Sequence, residues 1–335
     1  MNASFPLRRR QKIEIERNRA RHGSSRQFFL KISGGLFLIA AVGLISGVGA
    51  ATDFCQRTSQ DALEACQDGA ESDNSLALGK CENFSDPTLR SDCRKQAAAD
   101  FRDAMQTCSD QLDARQAACQ RLGPAPYDPR IDPARFVKGV TNVYFPLNPG
   151  TTLIYEGQTS EGFNHTEFAI TRKTKVIMGV TCIEVHDTVK LDGKLAEDTV
   201  DWFAQDADGN VWYFGENTGE LVDGRFVTLD GTFTAGVNND KPGIIMKAHP
   251  MIGDFYRQEF SLDNAEDFAE VNGLNETVTA GRPQRTFTHC LKTTETTPLE
   301  TNLLEYKFYA PGIGNVLTVD ARTGKQIKYV RTTFN

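Results

Sequence analysis

Residues Cys182 to Glu216 read CIEVHDTVKLDGKLAEDTVDWFAQDADGNVWYFGE. Two Asp-Gly pairs, Asp192-Gly193 and Asp208-Gly209, interrupt runs rich in Val, Ile, Thr, Phe and Tyr. Asp-Gly suits a tight hairpin turn because both central residues take positive φ, and the flanking runs carry β-branched and aromatic side chains that fit a pleated surface. Three consecutive antiparallel strands are therefore expected. Asp223-Gly224, Asp230-Gly231 and Thr323-Gly324 continue the punctuation toward the end of the chain. Residues 136–335 are thus expected to form an antiparallel β-meander of roughly ten strands, a barrel or a strongly curved sheet. Asp263 to Val271 is the best short helix candidate.

Turns at Asp192-Gly193 and Asp208-Gly209 set a register by hand. Glu184, Asp201 and Glu216 then form one row across three strands, with His186 and Thr199 next to it, and Cys182, Phe203 and Phe214 in the row beyond. Like charges facing across strands repel. A bound cation, a shared proton or a Lys or Arg from elsewhere should relieve them. Glu184, His186, Asp201 and Glu216 are therefore the candidate ligand or metal site. A divalent metal is the expected occupant, Ca²⁺ if oxygens dominate and a transition metal if the histidine takes part. The bland alternative is a solvated face on which these acids meet water and lysines. Asp206-Ala207-Asp208-Gly209-Asn210 lacks the glutamate of a calcium loop and reads as a turn.

The same part of the chain resembles a group of uncharacterised exported, β-rich bacterial proteins. The resemblance rests on YFPLNPGTTLIYEG from Tyr144, DWFAQDADGNVWYFGE from Asp201, KPGIIMKAHPMIGDFYRQE from Lys241 and YAPGIGNV from Tyr309, and covers roughly residues 140–320. It implies an extracytoplasmic β-rich domain and no mechanism.

Six cysteines, Cys55, Cys66, Cys81, Cys93, Cys108 and Cys119, are separated by 11, 15, 12, 15 and 11 residues, a palindrome. An antiparallel hairpin brings such positions face to face, so the nested pairing Cys55–Cys119, Cys66–Cys108 and Cys81–Cys93 is expected, although six cysteines allow 15 pairings. Ser85-Asp86-Pro87 at the centre supplies a helix N-cap followed by proline in the first helical turn. On the return arm Phe101, Met105, Cys108, Leu112, Arg115, Cys119 and Leu122 alternate in steps of four and three, the seam of a packed helix that Arg115 alone breaks. Residues 52–122 are therefore expected to form a disulfide-clamped helical hairpin, serving as a rigid spacer or a protein-partner surface. A Pro-rich linker, residues 123–135, separates it from the β-rich domain. Cys182 and Cys290 remain, with a bridge between them expected in an oxidising compartment and a metal cluster of Cys182, His186 and His289 as the alternative.

The first 51 residues are a targeting segment. Nine Lys/Arg and two Asp/Glu lie within residues 1–31, so a formal charge of -7 overall leaves -14 for the remainder. That acidity argues against nucleic-acid binding, which needs basic side chains against phosphate. The apolar stretch Ile32 to Ala51 is long enough to span a bilayer as an anchor. Val48-Gly49-Ala50 also fits a signal-peptide cleavage site, and Ser25 to Lys31 resembles a twin-arginine signal with Gln27 replacing the second arginine. Positive charge ahead of the stretch keeps the N-terminus cytoplasmic if it stays anchored and places the rest in the periplasm or at the outer face of the membrane.

Enzyme signatures are sparse. Ser160 and Ser261 are the only serines between residues 140 and 335, and neither sits in a nucleophile elbow. There is no zinc-protease, P-loop or dinucleotide motif. His165, His186, His249 and His289 are dispersed, and Asp201 and Glu216 as direct strand neighbours lie too close for a glycosidase pair. The expected function is non-catalytic binding of a ligand or metal ion by the β-domain in the cell envelope. The alternatives are a metal-dependent hydrolase using the acidic row and a structural or assembly protein acting through the hairpin.

Overall fold

The computed structural model describes residues 53–334. The basic segment and the apolar stretch Ile32 to Ala51 lie outside them. No helix among the described residues is long and apolar enough to cross a membrane.

Helices α1 (Phe54–Cys81) and α2 (Pro87–Leu122) form the hairpin. Asp53 caps the first through the Gln56 amide, and Asp86 caps the second through the Thr88 and Leu89 amides with Pro87 following. The three disulfides are nested as the palindrome requires, with Cα–Cα distances of 5.6, 5.7 and 5.5 Å. Ser59 and Ala62 are buried between the helices, and their small side chains let the axes come close enough for all three bridges. Three disulfides fit an oxidising, extracytoplasmic environment.

Arg115 breaks the apolar seam because it belongs to another interface. Its side chain is 3% exposed and forks onto Glu266 of the β-domain, with Nη2 donating at 2.7 Å and Nε at 3.1 Å to Oε1. Nearby, Arg257 sits over the rings of Phe260 and Phe268 at 4.6 and 4.9 Å, with its Nη2 3.9 Å from the Cys55 sulfur. Arg121 pairs with Glu270, and Gln111 donates to the Leu299 carbonyl. The hairpin is thus docked on the β-domain despite the linker.

The β-domain is one antiparallel, nearly closed, barrel-like sheet with strands numbered in chain order. β1 (Phe136–Val137), β7 (Arg225–Thr228) and β8 (Phe233–Thr234) are short additions. The main path begins at β10 (Phe255–Arg257) and passes through β12 (Phe268–Ala280), β13 (Arg285–Thr296), β14 (Leu304–Ala310), β15 (Gly314–Asp320) and β16 (Gln326–Phe334). It continues through β2 (Thr151–Gln158), β3 (Phe163–Ile177), β4 (Val180–Leu191), β5 (Lys194–Asp206) and β6 (Val211–Val222) to β9 (Lys241–Met246) and β11 (Glu259–Phe260). Both ends of the path, β10 and β11, belong to one extended segment, so the chain itself brings the two edges of the sheet together.

Sixteen strands among the described residues exceed the expected number because several are only two to four residues long. Asp263 to Val271 is a tight turn leading into β12, without helix. Asp263 takes φ 62°, outside the right-handed helical region, and Ser261 and Ala265 close the turn through reciprocal backbone bonds. Apolar side chains fill two regions. The larger is the inner face, where Phe145, Phe168, Phe203 and Tyr213 pack together. The smaller is the outer face of β4–β6, where Cys182, Trp202 and Phe214 are covered by Ile131 and Phe136 from the linker side.

Candidate functional site

Two bulges decide which side chains face inward. Beside the first turn Lys190 pairs with Leu195 and Leu191 with Lys194, the register expected from Asp192-Gly193. A shift between Val189 and Lys190 then leaves Ala196 unpaired, and beyond it Glu184 faces Trp202 while Val185 faces Asp201. One extra residue flips every later side chain to the other face. Between β5 and β6 the expected pair Asp201↔Glu216 is present, and a second shift past Trp202↔Gly215 leaves Phe214 unpaired. Gly215, at φ 145°, lets β8 pass; a Cβ there would lie 2.4 Å from the Phe233 carbonyl oxygen.

The four candidate residues are therefore divided. Asp201 and Glu216 are opposed and 3% and 4% exposed. Glu184 lies on the opposite side of the sheet, bonded to Thr171 Oγ1 at 3.3 Å and 3.5 Å from Lys173 Nζ. His186 contacts Asp198 at 2.6 Å and is half exposed. Phe203 and Phe214, expected side by side, likewise separate onto the inner and outer faces. The Cys182–Cys290 bridge is not formed: both thiols are free and buried in different apolar clusters. Burial pushes the Cys182 thiol up to about 12 and also raises Cys290, so both behave as small core side chains.

Continuing inward-facing from Asp201↔Glu216, every second residue gives Thr199↔Thr218 and Glu197↔Glu220. Thr199 Oγ1 donates to Glu197 Oε1 at 3.0 Å and lies 2.5 Å from Thr218 Oγ1. On β4, Asp187 faces Thr199 and so sits between Glu197 and Asp201, 5% exposed. Tyr213 Oη is 2.5 Å from Asp201 Oδ1 and 3.1 Å from Glu216 Oε2. One hydroxyl has one proton to donate, so the second contact becomes a hydrogen bond when a carboxyl carries a proton of its own. Burial raises both acids, with Glu259 and Asp201 adding to the effect on Glu216. Burial, then the Asp201 charge, brings Asp187 to about 7; burial, then Asp187, brings Glu197 to about 8.

Lys307 on β14 is the buried ammonium that answers part of this acidity. It lies 2.7 Å from Glu295 and 3.5 Å from Glu305 and is 3% exposed. Against burial, which would raise it, Lys307 holds Glu295 below the usual carboxylate range, helped by the Tyr309 hydroxyl at 2.8 Å. Burial outweighs the same ammonium at Glu305 and brings it to about 7.

At one end of the barrel the acids open onto a cavity of about 30 Å³, room for one or two water-sized groups. Its wall carries Glu197, Glu216, Glu220 and Glu259, and its rim Asp230, Asp267 and Glu300 from the connecting loops. Gly231 crosses beside Glu216 at φ 94°, where a Cβ would lie 2.8 Å from Oε1. Only glycine fits that approach. Glu197 and Glu220 were recoverable from the period of two running on from the expected pair Asp201↔Glu216. Asp187 depends on the bulge, and Glu259, Asp267 and Glu300 come from strands and loops remote in sequence.

No group of three His, Cys, Asp or Glu among the described residues converges to hold a metal ion. The donors therefore do not form the set expected for Ca²⁺ or a transition metal, nor the Cys182, His186 and His289 cluster. Asp206 accepts from the Asp208 and Asn210 amides and from the Trp212 indole, so the calcium-like stretch is a turn capped by its own aspartate. No family model matches this chain, and comparison with curated proteins and with solved structures found no match.

The raised carboxyls make stability depend on pH. Asp187, Glu197 and Glu305 bind protons more tightly folded than unfolded, where 3.8 and 4.5 are their ordinary values. Stability must therefore fall as pH rises from those values to about 7 or 8, by up to roughly 1.4 kcal/mol per pH unit for each group while it titrates. Melting followed by circular dichroism should give a Tm several degrees lower at pH 8.5 than at pH 5.5, with a shallower slope in Asp187→Asn. A Tm that rises over this interval would show that these acids are already ionised in the folded protein.

Proposed function

We propose that this is a non-catalytic binding protein of the cell envelope, exported or anchored by residues 1–51, whose β-domain takes a ligand on its inner wall. The observation supporting it is the buried Asp201–Tyr213–Glu216 contact, whose Glu216 also lines an acid-walled cavity. A purely structural barrel is filled by apolar layers. Burying acids side by side costs stability, and proteins break that rule chiefly at functional sites. A cavity with a few convergent polar groups is the usual form of a small-molecule site. Native mass spectrometry of the full chain purified from its own envelope should detect a bound small molecule that Asp201→Asn combined with Glu216→Gln removes. A protein without bound mass, or one whose adduct survives both changes, overturns the reading.

A further inference from the structure

We infer that the inner wall of the β-domain recognises an organic cation through a protonated amine, seated among Asp187, Asp201 and Glu216. The inference rests on the ligand-binding reading above and names the chemical class of its ligand.

Three observations support it. First, the surplus of buried acid is large: Asp187, Asp201, Glu216, Glu259, Glu295 and Glu305 are all buried, and the buried cations among the described residues are Arg115, Arg257 and Lys307. Arg115 and Arg257 lie at the interface between the helical hairpin and the β-domain, and Lys307 is already engaged by Glu295 and Glu305.

Second, hydrogen-bonding capacity is left over at the foot of the cluster. Asp187 Oδ1 has no hydrogen-bond partner although the residue is 5% exposed, and the register points it among Glu197, Thr199 and Asp201. The Tyr155 hydroxyl on β2, 3% exposed, is also without a partner, and it is close enough for the Asp187 charge to act on it. Such groups are costly to bury unless something meets them.

Third, the spacing fits an ammonium better than a metal. A calcium ion needs its oxygens gathered at about 2.3–2.6 Å from one point, and among the described residues no three acidic or histidine side chains are so gathered. Opposed side chains on neighbouring strands stand about 4.5–5.5 Å apart at Cβ. An ammonium group, with three donors reaching about 2.8 Å, can bridge that gap, and Glu216, one of the three acids, lines the adjoining water-sized cavity through which such a group could reach them.

The groups facing this position are Tyr155 from β2, Glu197 from β5, Tyr213 and Glu220 from β6, and Glu259 from β11; Lys307, with Glu295 and Glu305, acts from β13 and β14. A cation arriving among acids that hold protons displaces them, so binding must release protons and strengthen as pH rises.

The test is calorimetric titration of the full chain with 1,4-diaminobutane at pH 7.5, in two buffers of different ionisation enthalpy that carry no primary amine. Neutral 1,4-butanediol and Ca²⁺ serve as comparison ligands. The expected result is saturable binding of the diamine with proton release, no binding of the diol, and affinity at least tenfold weaker in Asp187→Asn while Glu184→Gln on the outer face leaves it unchanged. Absence of diamine binding overturns the inference, as does binding equal in Asp187→Asn or unaccompanied by proton release. Ca²⁺ binding in place of the diamine would also overturn it. If a neutral or anionic molecule is found by mass spectrometry and lost with Asp201→Asn and Glu216→Gln, ligand binding stands and the cation assignment alone fails. If neither experiment detects a ligand, both fail.

Discussion

Replacing Arg115 by methionine is expected to destabilise the protein by roughly 3–5 kcal/mol, the usual cost of leaving one partner of a buried ion pair uncompensated. Glu266 is 1% exposed, and its carboxylate accepts the forked guanidinium as well as the Asp263 amide. Without the arginine its charge must either remain buried or take up a proton. Methionine keeps the length of the stem, so the loss reports the charge more than the packing. Removing both partners together, as Arg115→Met with Glu266→Leu, should recover most of the stability, because replacing a whole buried pair by apolar groups is often neutral. Urea denaturation followed by Trp202 and Trp212 fluorescence measures both variants. A single-mutant loss below about 1 kcal/mol, the range of exposed pairs, would mean that this contact does not hold the hairpin to the β-domain.

Lys307→Met should be comparably damaging but strongly dependent on pH. In the native protein the ammonium keeps Glu295 ionised below its ordinary range, a stabilising contribution present above about 4.5 and lost as pH falls. Without it, burial is opposed at Glu295 only by hydrogen bonds such as that from Tyr309, and both carboxyls should hold protons far more tightly than in the native protein. The sign of the dependence reverses: the variant is penalised where these acids would have to ionise. A loss of roughly 3–5 kcal/mol is expected at pH 8 and a much smaller one at pH 5, where two neutral carboxyls remain. Denaturant midpoints at the two pH values decide it. Equal losses would assign the role of Lys307 to packing.

Both residues mark where local sequence signals stop being informative. Arg115 occupies a seam position by spacing, and the helix period alone cannot show that its partner is Glu266, 151 positions away. Lys307 lies in an ordinary alternating strand beside Glu305 and the adjacent strand's Glu295, and the alternation does not show that all three are buried. Asp201 and Glu216 face each other as read, although beside the Asp208-Gly209 turn Gln205 pairs with Val211, one residue off the expected register, and the bulge at Phe214 restores it. Glu184 was misplaced by a single bulge at Ala196, which costs little locally yet reverses the strand from there on. Cys182 and Cys290 looked like a pair by elimination, but the sheet puts them in different apolar clusters.

The sequence by itself determined the clamped hairpin and the antiparallel β-domain, because palindromic cysteine spacing, capping residues and Asp-Gly turns each act over a few residues or a fixed helical rise. The tertiary structure decided the docking of the hairpin and the closure of the sheet. It also decided which acids face one another, because burial and charge coupling depend on side chains brought together from strands far apart in the chain.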